Sequence, residues 1–78
     1  MAVTLYIPNW TSARTEKKIL EFVRNAMLHD PQFNGVTVRL DRSEVGCCWI
    51  DDPNEVLNGY ADVALHRAAQ NLLESDSE

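Results

Sequence analysis

The sequence predicts an α+β fold: a two-layer β-α-β-β-α domain, with a three-stranded mixed sheet and two helices packed on one face. Three observations carry this. Apolar and polar residues alternate in short stretches, the period of a half-buried strand. In two longer stretches apolar residues recur at steps of three and four, the stripe of an amphipathic helix. The 78 residues, 45% of them hydrophobic, suit one thin core rather than several.

The first strand is read at Ala2 to Ile7, with Val3, Leu5 and Ile7 inward and Thr4 and Tyr6 outward. Pro8 and Asn9 end it. Thr11 or Ser12 caps the first helix, and Ile19, Leu20, Val23, Ala26 and Met27 form its stripe, widened by Phe22. Pro31 disfavours helical geometry at Asp30 and stops the helix there. Asn34-Gly35 makes a turn into a second strand, Val36 to Leu40, whose Thr37 and Arg39 face outward. A further turn in Asp41 to Glu44 leads to a third strand, Val45 to Ile50, expected to pair with the second as a hairpin. Asp52, Pro53 and Glu55 have the spacing of a capping box, so the last helix is expected to begin at once. Its inward face is read as Leu57, Tyr60, Ala61, Ala64, Leu65, Ala68 and Leu72. A right-handed crossover through the first helix sets the first strand parallel to a strand of the hairpin. Residues 1–75 then form a single domain, with a frayed acidic end at 76–78.

The net charge is −5, and its distribution is uneven. Residues 1–40 carry five basic and three acidic side chains, a balance of +2. Residues 41–78 carry two basic and nine acidic ones, a balance of −7. Such a surface repels phosphate backbones and attracts basic protein surfaces. Direct nucleic-acid binding is disfavoured, while contact with a protein that handles nucleic acid is not. The plainer explanation is that acids keep a small protein soluble. No apolar run reaches the roughly 18 residues of a membrane span, and the N-terminus lacks the pattern of a signal peptide, so a cytoplasmic protein is expected.

The stretch GCCWIDDPNE, Gly46 to Glu55, concentrates the unusual residue types. On a strand, Cys47 and Cys48 point to opposite faces, so one thiol enters the core and the other faces out. They do not have the spacing of a zinc site, and the remaining nitrogen ligands, His29 and His66, are distant in sequence. No metal and no cofactor is expected. His29 suits the negative end of the first helix, and His66 falls on the polar side of the second. Asp51-Asp52 is a carboxylate pair of the kind acid–base catalysis uses, but Asp52 already has a capping role. Trp10, in the loop after the first strand, either anchors a partner or folds over the end of the core. Val56 and Val63 make a small secondary apolar flank. The expectation is a non-enzymatic protein.

The element order, the length and the acidic C-terminal end resemble the DinI-like family, small damage-response and prophage proteins that bind the RecA recombinase filament. The stretches that carry the resemblance are VTLYI, FVRNAMLHDPQFNG, VTVRL and ALHRAAQNLLESDSE. It covers nearly the whole chain as architecture and pattern. It implies that acids of the last helix contact the partner by mimicking the charge of DNA. Glu74, Asp76 and Glu78 fall in the matching acidic end, and Asp62 matches more loosely on the helix.

Together these readings give a small acidic inhibitor or modulator of a nucleic-acid-acting protein. The partner is a RecA-like filament or a bacterial defence complex of the kind that anti-CRISPR proteins block. The candidate contact residues are Asp51, Asp52, Glu55, Asp62, Glu74, Asp76, Glu78 and Trp10. Two other classes stay open. One is a homodimeric assembly protein that pairs through the free sheet face or the Val56/Val63 flank. The other is a thiol or metal module using Cys47 and Cys48.

Overall fold

The computed structural model describes residues 2–57 and 59–75. Its element order is β1 (Ala2–Pro8), α1 (Ala13–His29), a 3-10 turn (Pro31–Phe33), β2 (Thr37–Ser43), β3 (Trp49–Asp51) and α2 (Gly59–Ser75). The α+β class, the mixed three-stranded sheet and the two helices match the sequence expectation. The expected frayed end at 76–78 lies outside the described residues.

Alternation in β1 sets the two layers. Val3, Leu5 and Ile7 are buried under the helices, while Thr4 and Tyr6 stand half-exposed on the opposite face. Leu5 and Ile7 have no exposed surface; burying side chains of this size stabilises the fold by about 1.5–3 kcal/mol each. Ile19 and Val23 of α1, Val38 of β2, and Ala61, Leu65, Ala69 and Leu73 of α2 complete the core, with Phe33, Cys48 and Leu57 from the connections.

Helix α1 begins where expected. Ser12 is the cap, its Oγ accepting from the Thr15 amide at 3.2 Å. Thr11 is buried and its hydroxyl donates to the Pro8 carbonyl at 2.7 Å, closing the strand-to-helix turn. The helix ends at His29. Asp30, in extended geometry before Pro31, then caps the 3-10 turn by accepting from the Gln32 amide. Gly35 takes φ +79°, the left-handed value that favours glycine, and turns the chain into β2.

Three expectations need correction. First, β2 and β3 are not a hairpin. The sheet order is β2-β1-β3, with β1 parallel to β2 and antiparallel to β3. β1 holds the centre, where its inward side chains are the most completely buried of the three strands. β2 therefore runs on to Ser43, paired with β1 all the way to Pro8. β3 shrinks to Trp49–Asp51, and residues 44–48 arch past the end of β1. Val45, expected in the third strand, is an exposed loop residue.

Second, DPNE is not the start of the last helix. The Asp52 carbonyl accepts from the Glu55 amide at 3.1 Å, which closes a turn through Pro53 and Asn54. Glu55 then takes φ +51°. The helix starts only at Gly59. Third, the inward face of α2 is Ala61, Leu65, Ala69 and Leu73. Ala68 and Leu72 flank it half-buried, while Ala64 is exposed and Tyr60 is 87% exposed.

Arg42 ties the layers together at one end of the sheet. Its Nη1 donates to the Asn9 and Thr11 carbonyls, both at 2.8 Å, and its Nη2 lies 3.3 Å from the Glu16 carboxylate. The end of β2 is thereby tied to the β1–α1 loop and to the first turn of α1.

Candidate functional site

The residues singled out in the sequence divide into separate places. β3 runs antiparallel to β1 and sets Asp51 opposite Thr4. The chain then continues past the N-terminal end of β1, where Asp52, Glu55 and Asp62 line one surface depression of about 610 Å³. Ile50, Leu57 and Val63 form its apolar lining. Asp51 stands beside it, exposed on the helix-free sheet face. Asp62 lies in the first turn of α2, where the positive end of the helix dipole stabilises a carboxylate. The fold thus gathers three of the eight candidate residues into one acidic corner, with a fourth, Asp51, at its edge on the other sheet face.

Asp52 has a structural task within it. Its Oδ1 accepts from the Val56 amide at 2.9 Å and its Oδ2 from the Leu57 amide at 2.8 Å. That closes the turn and seats Leu57 in the core. Glu55 and Asp62 carry the charge that faces outward.

The other candidates do not join this corner. Glu74 lies twelve residues beyond Asp62 on α2, about 18 Å along the helix axis. There it accepts from Gln70 Nε2 at 3.3 Å, and Gln70 Oε1 accepts from the Cys48 amide at 2.9 Å. Trp10 is 62% exposed and follows the C-terminal end of β1, at the opposite end of the strand from the acids. Asp76 and Glu78 lie outside the described residues.

Cys47 is exposed and Cys48 is buried, the opposed placement expected, although both precede β3 rather than lie on it. Burial pushes the Cys48 thiol up to about 11, and the neighbouring Cys47 adds to the effect, so Cys48 stays protonated and weakly nucleophilic at neutral pH. His29 is exposed at the end of α1 and His66 is half-buried on α2. Among the described residues no group of three or more His, Cys, Asp or Glu side chains is placed to hold a metal ion.

Two features were not legible in the sequence. Tyr6 and Trp49 stack on the helix-free sheet face, ring centres 4.3 Å apart and planes within 13°. Trp49 Nε1 donates to Ser43 Oγ at 3.1 Å, which fixes the indole. Strand alternation places each ring on a face, but only the β1–β3 register brings them together. The second is an apolar groove of about 490 Å³ between the helices, lined chiefly by Phe22, Ala26, Phe33, Ala61, Ala64 and Leu65. The small alanines leave it open.

No protein-family model, curated protein or solved structure matches the chain. Its class is that of the fold alone, a small α+β domain, and among the described residues no helix is long and apolar enough to cross a membrane.

Proposed function

We propose that this chain is a small, non-enzymatic binding protein. Its acidic corner occupies a basic surface of a protein that acts on nucleic acid, and so inhibits or modulates it. The carrying observation is the convergence of Asp52, Glu55 and Asp62 on one depression, with Asp51 beside it. Acids spread evenly over a surface serve solubility; acids gathered around an apolar floor of Ile50, Leu57 and Val63 offer a basic side chain both charge and a place for its methylene stem. RecA-like filaments and bacterial defence complexes are the partner classes this reading favours, because both expose basic channels made for phosphates.

The test is affinity capture from bacterial lysate with partner identification, followed by binding of the purified pair across a salt series. A charge-reversed variant, Glu55→Lys with Asp62→Lys, is measured alongside. Binding should weaken steeply between about 0.05 and 0.5 M salt, and charge reversal should cost at least about tenfold in affinity. A captured partner whose affinity is flat in salt and indifferent to the reversal refutes the acidic-corner mechanism.

A further inference from the structure

The outer edge of β2 is complementary to itself. β2 lies at one side of the sheet with β1 as its sole strand neighbour among the described residues. Its backbone directions follow from two hydrogen bonds. The Val38 amide points away from β1 and rests 3.3 Å from Met27 Sδ. The Arg42 amide also points away and is taken up by Asp41 Oδ1 at 2.8 Å. Strand alternation gives Leu40, between them, the same outward direction. The edge therefore presents three amide and carbonyl pairs, at Val38, Leu40 and Arg42, the last open to an added strand once Asp41 turns its carboxylate from the Arg42 amide to an arginine of that strand. Met27 holds the first with a thioether, a weak acceptor that a carbonyl readily replaces.

We propose that this edge pairs with a second copy of the chain, β2 against β2 antiparallel about Leu40, to give a continuous six-stranded sheet. The register follows from the residues. With Leu40 on the two-fold axis, Leu40 meets Leu40 and Val38 meets Arg42 as hydrogen-bonded pairs, which are the positions whose backbone groups point outward. Arg39 then faces Asp41 of the second copy, and Asp41 faces its Arg39, at the non-hydrogen-bonded positions where cross-strand side chains come closest. Thr37 faces Ser43. Arg39, Asp41 and Thr37 are exposed on the helix-free face, so both ion pairs form at the surface without moving the core.

The helix side of the same edge is prepared as well. A groove of about 720 Å³ runs between α1 and β2, with Ala13, Leu20, Met27, Val38 and Leu40 as its apolar members and Glu16, Lys17, Arg24 and Arg39 as its charged ones. The Leu40 side chains of the two copies meet beside it. A one-residue slip would set outward-pointing backbone groups against residues whose groups turn back to β1 and would lose both ion pairs, so the backbone and the charges together favour pairing about Leu40. The edge lies across the sheet from the acidic corner on the β3 side, and the inference is independent of the partner proposed for that corner.

The experiment is sedimentation equilibrium of the full chain from about 10 µM to 1 mM, at about 0.15 M salt so that the net charges of the two copies are screened. Wild type should move from monomer towards dimer over that range. Arg39→Asp sets acid against acid, and Asp41→Arg sets base against base. Each single variant should dimerise about tenfold or more weakly. Mixed in equal amounts, the two variants should pair with each other, because each then meets an opposite charge at both positions. In wild type, the Leu40 amide should gain protection from hydrogen exchange as concentration rises. A wild type that stays monomeric at 1 mM overturns the proposal. So does a dimer unmoved by either substitution, or a folded pair of variants that fails to associate.

Discussion

Replacing Asp52 by alanine removes both acceptors of the clamp that closes the β3–α2 connection. The Val56 and Leu57 amides, now 2.9 and 2.8 Å from the carboxylate, lose an ionised partner. Hydrogen bonds to a charged group contribute about 1.5–3 kcal/mol when well buried. Asp52 is half-buried, so water can reach part of the vacated space, and about 1 kcal/mol per bond is the appropriate scale. The expected loss is about 2 kcal/mol, or a fall in Tm of about 8–16 °C for a domain of this size. Asp52→Asn keeps one acceptor and turns an NH₂ towards the other amide, so it should lose at least half as much. Urea and thermal unfolding followed by circular dichroism and tryptophan fluorescence measure both. The native far-ultraviolet helical signal of Asp52→Ala should stay at the wild-type level, because α2 begins at Gly59 and does not use this residue as its cap. A variant within about 0.5 kcal/mol of wild type refutes the clamp, and lost native helicity restores the helix-cap reading.

Two further outcomes follow from other contacts. Arg42→Lys should cost about 1–2 kcal/mol in urea unfolding, because one ammonium does not reproduce a guanidinium that reaches Asn9, Thr11 and Glu16 at once; a neutral substitution shows that the latch contributes nothing. In the native protein iodoacetamide should modify Cys47 and leave Cys48 untouched until the domain unfolds. Since the folded state raises the Cys48 thiol from 9.0 to about 11, its contribution is complete below pH 9 and is lost as pH rises to about 11. Stability should therefore decline more steeply over pH 9–11 in wild type than in Cys48→Ala, and parallel curves refute this.

Local chemistry made much of the fold readable, and long-range pairing hid the rest. The Val3, Leu5, Ile7 alternation and the Ser12 cap depend on neighbours within a few residues, and both are where the sequence puts them. The pairing of β3 depends on which strand wins the centre. A strand following a strand suggests a hairpin, yet β1 separates the two. DPNE satisfies two local rules equally, since Asp, Pro and Asn also suit a type I turn, and turn chemistry prevailed. The face of α2 was ambiguous because Ala61, Ala64, Ala68 and Ala69 are chemically identical. Only packing against the sheet and α1 selects Ala61 and Ala69 for the interior. The acidic corner shares this history. The acids were visible individually, but their gathering at one depression follows from the turn that delays α2.

The central position of β1 bears on how the chain reaches this structure. Every β1 residue in the parallel ladder pairs with a residue 35 positions later, from Ala2 with Thr37 to Pro8 with Ser43. The antiparallel ladder reaches further still, to Asp51 from Thr4. During synthesis β1 thus has no strand partner until β2 has been made, and its other edge stays unpaired until β3 follows. Helices α1 and α2 can form early from contacts within a few residues, whereas the sheet must wait for loop closure, so the folding rate of this half-helical chain should be governed by its β topology. During that wait VTLYI is an apolar strand with both edges unpaired, and the helix that follows it in sequence is the earliest cover available to it.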